Sequence, residues 1–177
     1  MNILITILIV LGSIVALFLI IALLTKKECR LEKQVVINKP KQKVFNYLKL
    51  LKNQEKYSVW VMKDPKINLV YTGTDGTVGA TSSWTSNDKN VGIGAQEIIK
   101  LTDGESMEVE IRFEKPFKAT NYASTTVTTA GDGQTKVSNV FSGKAKFPMN
   151  IMNLFIDKLV GKDMQRNLEN MKAILEK

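Results

Sequence analysis

The first 25 residues differ from the rest of the chain because none of them carries a charged side chain. Residues 3–24 are almost entirely apolar, and as an α-helix they would be about 33 Å long at about 1.5 Å per residue. That length is enough to cross a hydrocarbon core of about 30 Å. The pattern therefore predicts a transmembrane anchor at residues 1–25, followed by a separate domain at residues 26–177.

Basic residues follow the apolar run closely and predict the orientation of the anchor. Lys26, Lys27, Arg30 and Lys33 lie just after its end. Basic residues next to a spanning helix favour the cytoplasmic side of the membrane. We expect a single-pass membrane protein whose amino terminus faces out and whose domain lies in the cytoplasm. A cleaved signal peptide fits less well, because the run is long and no Ala-x-Ala site follows it.

The pattern in the remaining residues changes twice. Residues 31–37 alternate between apolar and polar positions, which predicts a strand, and Pro40 then allows a short amphipathic helix to begin. A second short helical piece is expected at 53–57, and a long amphipathic helix is expected from Pro148 onward. The alternation between these helices predicts strands at 67–72, 80–86, 95–101, 106–113, 120–129 and 134–146.

This order of elements predicts the fold class. An antiparallel sheet that packs against one long helix buries the apolar faces of both. Strands and helices do not alternate singly along the chain, so a parallel sheet is not expected. We predict an α+β fold, in which a curved antiparallel sheet of about seven strands surrounds a long C-terminal helix.

Composition narrows the chemistry that this chain can carry out. It contains no His, which excludes Ser-His-Asp and Cys-His nucleophilic sites and every His-ligated metal site. The single Cys29 can form no disulfide within the chain, and no glycine-rich phosphate-binding motif is present. We therefore expect neither a metal nor a cofactor.

The charge balance bears on partners. The chain has 25 Lys and Arg against 17 Asp and Glu, a net charge of +8, and all of these charges follow the apolar run. The basic residues are scattered and are not interleaved with aromatic residues, so nucleic acid is not an expected partner. A basic surface held near a bilayer attracts anionic headgroups, so the membrane is an expected partner. A protein partner stays an open question.

Four segments, taken in their order and spacing, resemble a known family. They are VINKP at 36–40, VGATSSW at 78–84, VGIG at 91–94, and the stretch from FPM at 147–149 to GKDM at 161–164. Together they resemble the SRPBCC superfamily, START-like proteins, in its polyketide cyclase/dehydratase-like branch. The resemblance implies a helix-grip fold with a deep cavity between sheet and helix, used for lipids, sterols, polyketides or other apolar molecules. It implies no shared set of catalytic residues.

The leading hypothesis is a membrane-tethered binding or transfer module for a lipid or other apolar small molecule. Such a cavity is mostly apolar, with a few polar groups that orient the ligand. Strand alternation and helix phase select nine candidate lining residues. They are Trp60, Trp84, Val109, Ile111, Phe113, Phe141, Phe155, Leu159 and Leu168.

Two alternatives stay open. One is a polyketide cyclase/dehydratase-like enzyme, which without His would need an inward-facing Asp, Glu, Lys or Tyr as its base. Tyr71 and Tyr122 are the candidates for that role, although neither belongs to a recognisable catalytic constellation. The other is an envelope or stress accessory protein that acts through a protein partner, with its cavity filled by side chains.

Overall fold

A computed structural model describes residues 2–177 of the chain. It begins with helix α1 (Ile3–Leu24), in which the side chain of Asn2 accepts a hydrogen bond from the Leu4 amide. Most of its apolar side chains are exposed, and by length and composition the helix is able to cross a membrane. The predicted apolar helix is therefore present with the predicted bounds.

The domain is built on one antiparallel sheet of seven strands in the order β1-β7-β6-β5-β4-β3-β2. Consecutive strands from β2 to β7 pair as neighbours, and β1 joins the far side of β7. The strands are β1 (Glu28–Ile37), β2 (Asn68–Thr72), β3 (Thr81–Thr85), β4 (Ile93–Thr102), β5 (Ser106–Lys115), β6 (Ala119–Gly131) and β7 (Gln134–Lys144). This confirms the predicted sheet, and β1 begins three residues earlier than expected.

Short helices connect β1 to β2 and cover one end of the sheet. Helix α2 (Lys41–Leu48) buries Val44, Phe45 and Leu48 on one face, as the amphipathic pattern predicts. The next helices are a 3₁₀ turn (Leu51–Asn53), α3 (Gln54–Tyr57) and α4 (Val59–Lys63). Both carboxylate oxygens of Asp75 accept hydrogen bonds at the start of this run, from the amides of Leu51 and Lys52.

The C-terminal region corrects one prediction. Only α5 (Lys162–Leu175) is a regular α-helix, and a 3₁₀ helix (Met149–Phe155) and a π-helix (Asp157–Gly161) precede it. A 3₁₀ helix has about 3.0 residues per turn and a π-helix closes wider i→i+5 rings, so the α-helical phase assumed from Pro148 is wrong for residues 149–161. It is right for α5, whose buried residues are Met164, Leu168, Met171 and Leu175.

The hydrophobic core lies between the sheet and helices α2 and α5. Its fully buried members include Ile37 on β1, Phe45 on α2, Ile98 on β4 and Val137 on β7. The register of β4 against β5 shifts between Ile98 and Lys100, and such irregularities bend a strand and increase its twist. The sheet packs against α5 and leaves space between the two, which Leu48 at the end of α2 also borders.

Candidate ligand-binding cavity

A cavity of about 230 Å³ lies between the inner face of the sheet and helices α3, α4 and α5. Strands β2 to β7 each contribute inward side chains, and β5 contributes every second residue, in keeping with the two-residue period of a strand. The β5 contributions are Met107, Val109, Ile111 and Phe113. The strict alternation of apolar and charged residues along this strand therefore fixes one wall of the cavity.

Two aromatic rings dominate the wall beside β3. The rings of Trp84 and Phe113 pack edge to face with their centroids 5.8 Å apart, a favourable arrangement for aromatic pairs. The indole N–H of Trp84 donates to the Val91 carbonyl at 3.2 Å, which satisfies its one polar group. Gly94 makes room for this ring, since a Cβ there would lie 2.5 Å from the Trp84 ring.

The polar groups around the cavity largely satisfy one another. The amides of Gln54 and Gln96 exchange hydrogen bonds, the shorter with Gln96 as donor at 2.7 Å. Asn139 Nδ2 donates to Thr125 Oγ1 at 2.6 Å, and Asn167 Oδ1 accepts from a backbone amide at 2.8 Å. Within residues 2–177, no Asp, Glu, Lys or Arg lines the cavity. Because an unpaired charge is costly in apolar surroundings, the site favours a neutral ligand.

Two tyrosines among the lining residues are held in their protonated form. Burial raises the pKa of Tyr57 above its ordinary value, and burial together with the nearby Glu55 carboxylate raises the pKa of Tyr71. The Tyr71 hydroxyl donates to Glu55 Oε1 at 2.8 Å. At neutral pH both phenols therefore stay protonated, and neither is suited to accept a proton as a general base.

Tyr122, the other residue considered as a base, lies outside the cavity. Its exposed hydroxyl donates to Glu110 at 3.2 Å. Arg112 also binds Glu110, at 2.6 Å, and Glu97 at 2.9 Å, and these hydrogen bonds raise the pKa of Arg112. The four side chains form a solvated network on the face of β5 opposite the cavity, so Glu110 is not part of a catalytic carboxylate pair.

Seven of the nine candidate lining residues come together around the cavity. They are Trp60, Trp84, Val109, Ile111, Phe113, Phe141 and Leu168. The other two, Phe155 and Leu159, are about half exposed and lie outside it. They precede α5, where the 3₁₀ and π turns rotate side chains away from the phase of a continuous α-helix, and Val160 lines the cavity instead.

The sequence analysis does not identify the polar lining residues, although the sequence contains part of the signal for them. Gln96 lies two residues before the fully buried Ile98 on β4 and so shares its inward face. Asn167 lies between Met164 and Met171 at helical spacing on α5. Their partners Gln54 and Val59 come from distant parts of the chain, and local periodicity carries no information about such pairs.

Comparison with known families decides the identity of the fold. Residues 28–176 match the family described as polyketide cyclase / dehydrase and lipid transport. The chain belongs to this family. The predicted SRPBCC membership and helix-grip fold are thereby confirmed, over nearly the whole chain after α1. No curated protein matches the sequence.

Several solved structures share the helix-grip fold. A truncated norcoclaurine synthase from Thalictrum flavum has a TM-score of 0.67 and 8% identity, over 85% of this chain and 95% of that one. The same enzyme in complex with dopamine and hydroxybenzaldehyde has a TM-score of 0.65 and 9% identity, over 88% and 91%. The Zhui aromatase/cyclase from Streptomyces sp. R1128 has a TM-score of 0.62 and 12% identity, over 84% and 94%. Identities this low establish a shared fold and nothing further.

Proposed function

We propose that this protein is a membrane-tethered module that binds a neutral, apolar small molecule between its sheet and α5. One observation carries the proposal: the cavity of about 230 Å³ is walled mainly by apolar side chains. Its polar residues, such as Gln54 with Gln96, are paired with each other and can orient a ligand without requiring it to be charged.

The size of the cavity limits the ligand. An enclosed apolar cavity of about 150 Å³ is sufficient for benzene. A volume of about 230 Å³ therefore fits one or two aromatic rings or a short stretch of acyl chain, if the walls stay in place. Each Å² of apolar ligand surface removed from water contributes about 25 cal/mol, part of which offsets the cost of association.

The tether is the second part of the proposal. We infer that α1 spans a membrane once, that residues 1–25 form the anchor, and that residues 26–177 form the ligand-binding domain on the cytoplasmic side. The apolar surface of Ile3–Leu24 and the basic residues that follow it support this arrangement. Such a tether keeps the domain close to molecules dissolved in the bilayer.

The alternatives receive different support. An accessory protein whose cavity is filled by side chains is disfavoured, because open space remains between the sheet and α5. A cyclase-like enzyme draws support from Tyr71, a protonated phenol at the cavity that Glu55 holds in place. The phenol has a single O–H, so it must release Glu55 before it can donate a hydrogen bond to a ligand carbonyl. If it does so during a reaction, Tyr71→Phe will abolish turnover of a linear polyketide mimic while binding persists.

A titration with matched ligands tests the binding proposal. The full chain in detergent, carrying Trp60→Phe so that Trp84 reports alone, is titrated with decanol, decanoate, 2-naphthol and a sterol. We expect Trp84 fluorescence to change with a neutral ligand, and decanol to bind at least about tenfold more tightly than decanoate, since a carboxylate would enter apolar surroundings without a partner.

A pair of variants distinguishes the cavity from the surface. Ala123 lines the cavity, and Ala173 lies on the exposed face of α5. Ala123→Leu should weaken decanol binding by at least about tenfold because it fills the space with about three methylene-sized groups. Ala173→Leu should bind like the parent. Equal affinity of the two variants, or no response to any neutral ligand, would refute the proposal.

A further inference from the structure

An apolar surface lies beside the end of α1 and is not part of the core. We call residues 147–159 the interfacial segment. Six of its large apolar side chains are between 42% and 58% exposed. They are Phe147, Met149, Met152, Leu154, Phe155 and Leu159. A contiguous set of exposed apolar residues of this kind marks a surface that contacts a partner or a membrane.

Two asparagines fix the interfacial segment to α1. Asn150 is completely buried, and its side-chain amide donates to the carbonyls of Ala22 at 2.6 Å and Thr25 at 2.8 Å. Asn153 donates to the carbonyls of Lys26 at 3.0 Å and Lys27 at 3.1 Å. The last carbonyls of a helix lack partners within it, so the Asn150 amide satisfies carbonyls at the end of α1, and Asn153 binds the residues that follow the helix. The segment is therefore held against the last turn of the apolar helix.

This attachment sets the depth of the segment in a bilayer. Ala22 belongs to the apolar run of α1 and is buried against the segment. At about 1.5 Å per residue, Ala22 lies only about 3 Å below the end of the helix at Leu24. When α1 spans a membrane, the exposed side chains beside Ala22 lie at the boundary between acyl chains and headgroups, where interfacial apolar residues insert.

The charged residues at the segment are mostly basic, and its one acidic residue, Asp157, forms an ion pair with Lys33 at 2.7 Å. Lys146, Lys158 and Lys162 are exposed at or near its two ends. A crevice between α1 and the segment combines the apolar side chains of Ile21, Leu24, Leu154 and Ile156 with Lys26, Glu28 and Arg30. Glu28 forms an ion pair with Lys144 at 3.6 Å, so the crevice keeps a basic character suited to anionic headgroups.

We propose that the interfacial segment inserts its apolar side chains into the leaflet in which α1 ends, and so docks the domain directly on the lipid surface. The proposal rests on the membrane span of α1 inferred above. It also gives the cavity a defined position. Val160, the next residue after the segment, lines the cavity, so the same stretch of chain faces the bilayer on one side and the ligand on the other.

Three single-cysteine variants test the docking in the full chain. In a Cys29→Ser background, Leu154→Cys lies in the interfacial segment and Ile14→Cys in the middle of α1. Val78→Cys lies between β2 and β3 and is the matched control, because Val78 and Leu154 are both 58% exposed. Each variant is labelled with the fluorophore NBD and placed in nanodiscs of phosphatidylcholine and phosphatidylglycerol with and without spin-labelled lipid.

We expect spin-labelled lipid to remove most of the emission from positions 14 and 154 and to leave position 78 nearly unchanged. If the label at position 14 is quenched and the label at position 154 is not, the docking is refuted and the membrane span of α1 is supported. Cross-linked dimers without lipid quenching at position 154 would show that a second copy shields this position. That result would also refute the docking. An unquenched label at 14 would overturn both the span and the docking, whereas the decanol titration in detergent tests ligand binding separately.

Discussion

The contact between Trp84 and Gly94 shows how one small residue shapes the cavity. The Trp84 ring lies directly over Gly94, and a Cβ at that position would also lie 2.6 Å from the Arg112 carbonyl oxygen. The ring and the backbone of the neighbouring strand therefore leave no space for a side chain there. Gly94 is needed for close approach, since its position inside β4 does not require unusual backbone angles.

Adding one methyl group at this position should disturb the cavity wall. Gly94→Ala forces the Trp84 ring or β5 to move, and overpacking of this kind costs about 1–3 kcal/mol. We expect a lower melting temperature, a shifted Trp84 emission and weaker decanol binding. Ala95→Ser, at the next residue on the opposite face of β4, is the control and should leave all three unchanged. Unchanged emission in Gly94→Ala would mean that the ring does not lie over β4.

At the scale of elements, α5 packs against the inner face of the sheet, and its helical phase determines which of its side chains line the cavity. Leu168 is 5% exposed and faces both the core and the cavity. Leu168→Asp places a carboxylate in the wall of the cavity. No residue that lines the cavity within 2–177 is cationic, so the carboxylate has no partner there. Leaving a buried charge without a partner costs about 3–5 kcal/mol, so we expect the domain to unfold or to melt at a much lower temperature.

The control for this change lies on the same helix. Ala173→Asp introduces the same charge on the exposed face of α5 and should stay within about 0.5 kcal/mol of the parent. Circular dichroism during heating in detergent compares the two variants. Equal melting temperatures for Leu168→Asp and Ala173→Asp would show that the assigned phase of α5 is wrong.

The strands and the region before α5 differ in how well the sequence predicts them. Alternation along β5 is local, and Val109 and Ile111 face inward because a strand has a period of two. Residues 149–161 also carry apolar side chains at steps of three and four, which suit 3₁₀, α and π turns almost equally. Their conformation depends on packing against α1, including the buried Asn150, and no local pattern contains that contact.

At the scale of the whole molecule, the sequence also predicts which side of a membrane the domain occupies. Lys26, Lys27 and Arg30 follow α1, and in the structure all three are exposed. In a bacterial host, a fluorescent protein fused to the carboxyl terminus should therefore fluoresce, and a phosphatase fused there should be inactive, because basic flanks stay in the cytoplasm.

Charge inversion provides the control for this orientation. Replacing Lys26, Lys27 and Arg30 together by Glu should reduce the fluorescent fraction if the basic flank determines the topology. An active phosphatase fusion on the parent chain, with no fluorescence from the other fusion, would show that the domain lies on the opposite side. The same experiment leaves the fold and the ligand proposal unaffected.

The connection between α1 and β1 has a consequence for traffic of the ligand. Only residues 25–27 separate the two elements, and a chain of three residues extends at most about 10 Å. Under the proposed membrane span of α1, a domain held this tightly stays within about that distance of the bilayer, and lateral diffusion in one membrane governs its encounters. A molecule destined for another membrane must leave the cavity and cross the water alone or on a second carrier. If the proposed anchor and ligand site both hold, the number of copies per area of bilayer sets how much ligand this protein retains.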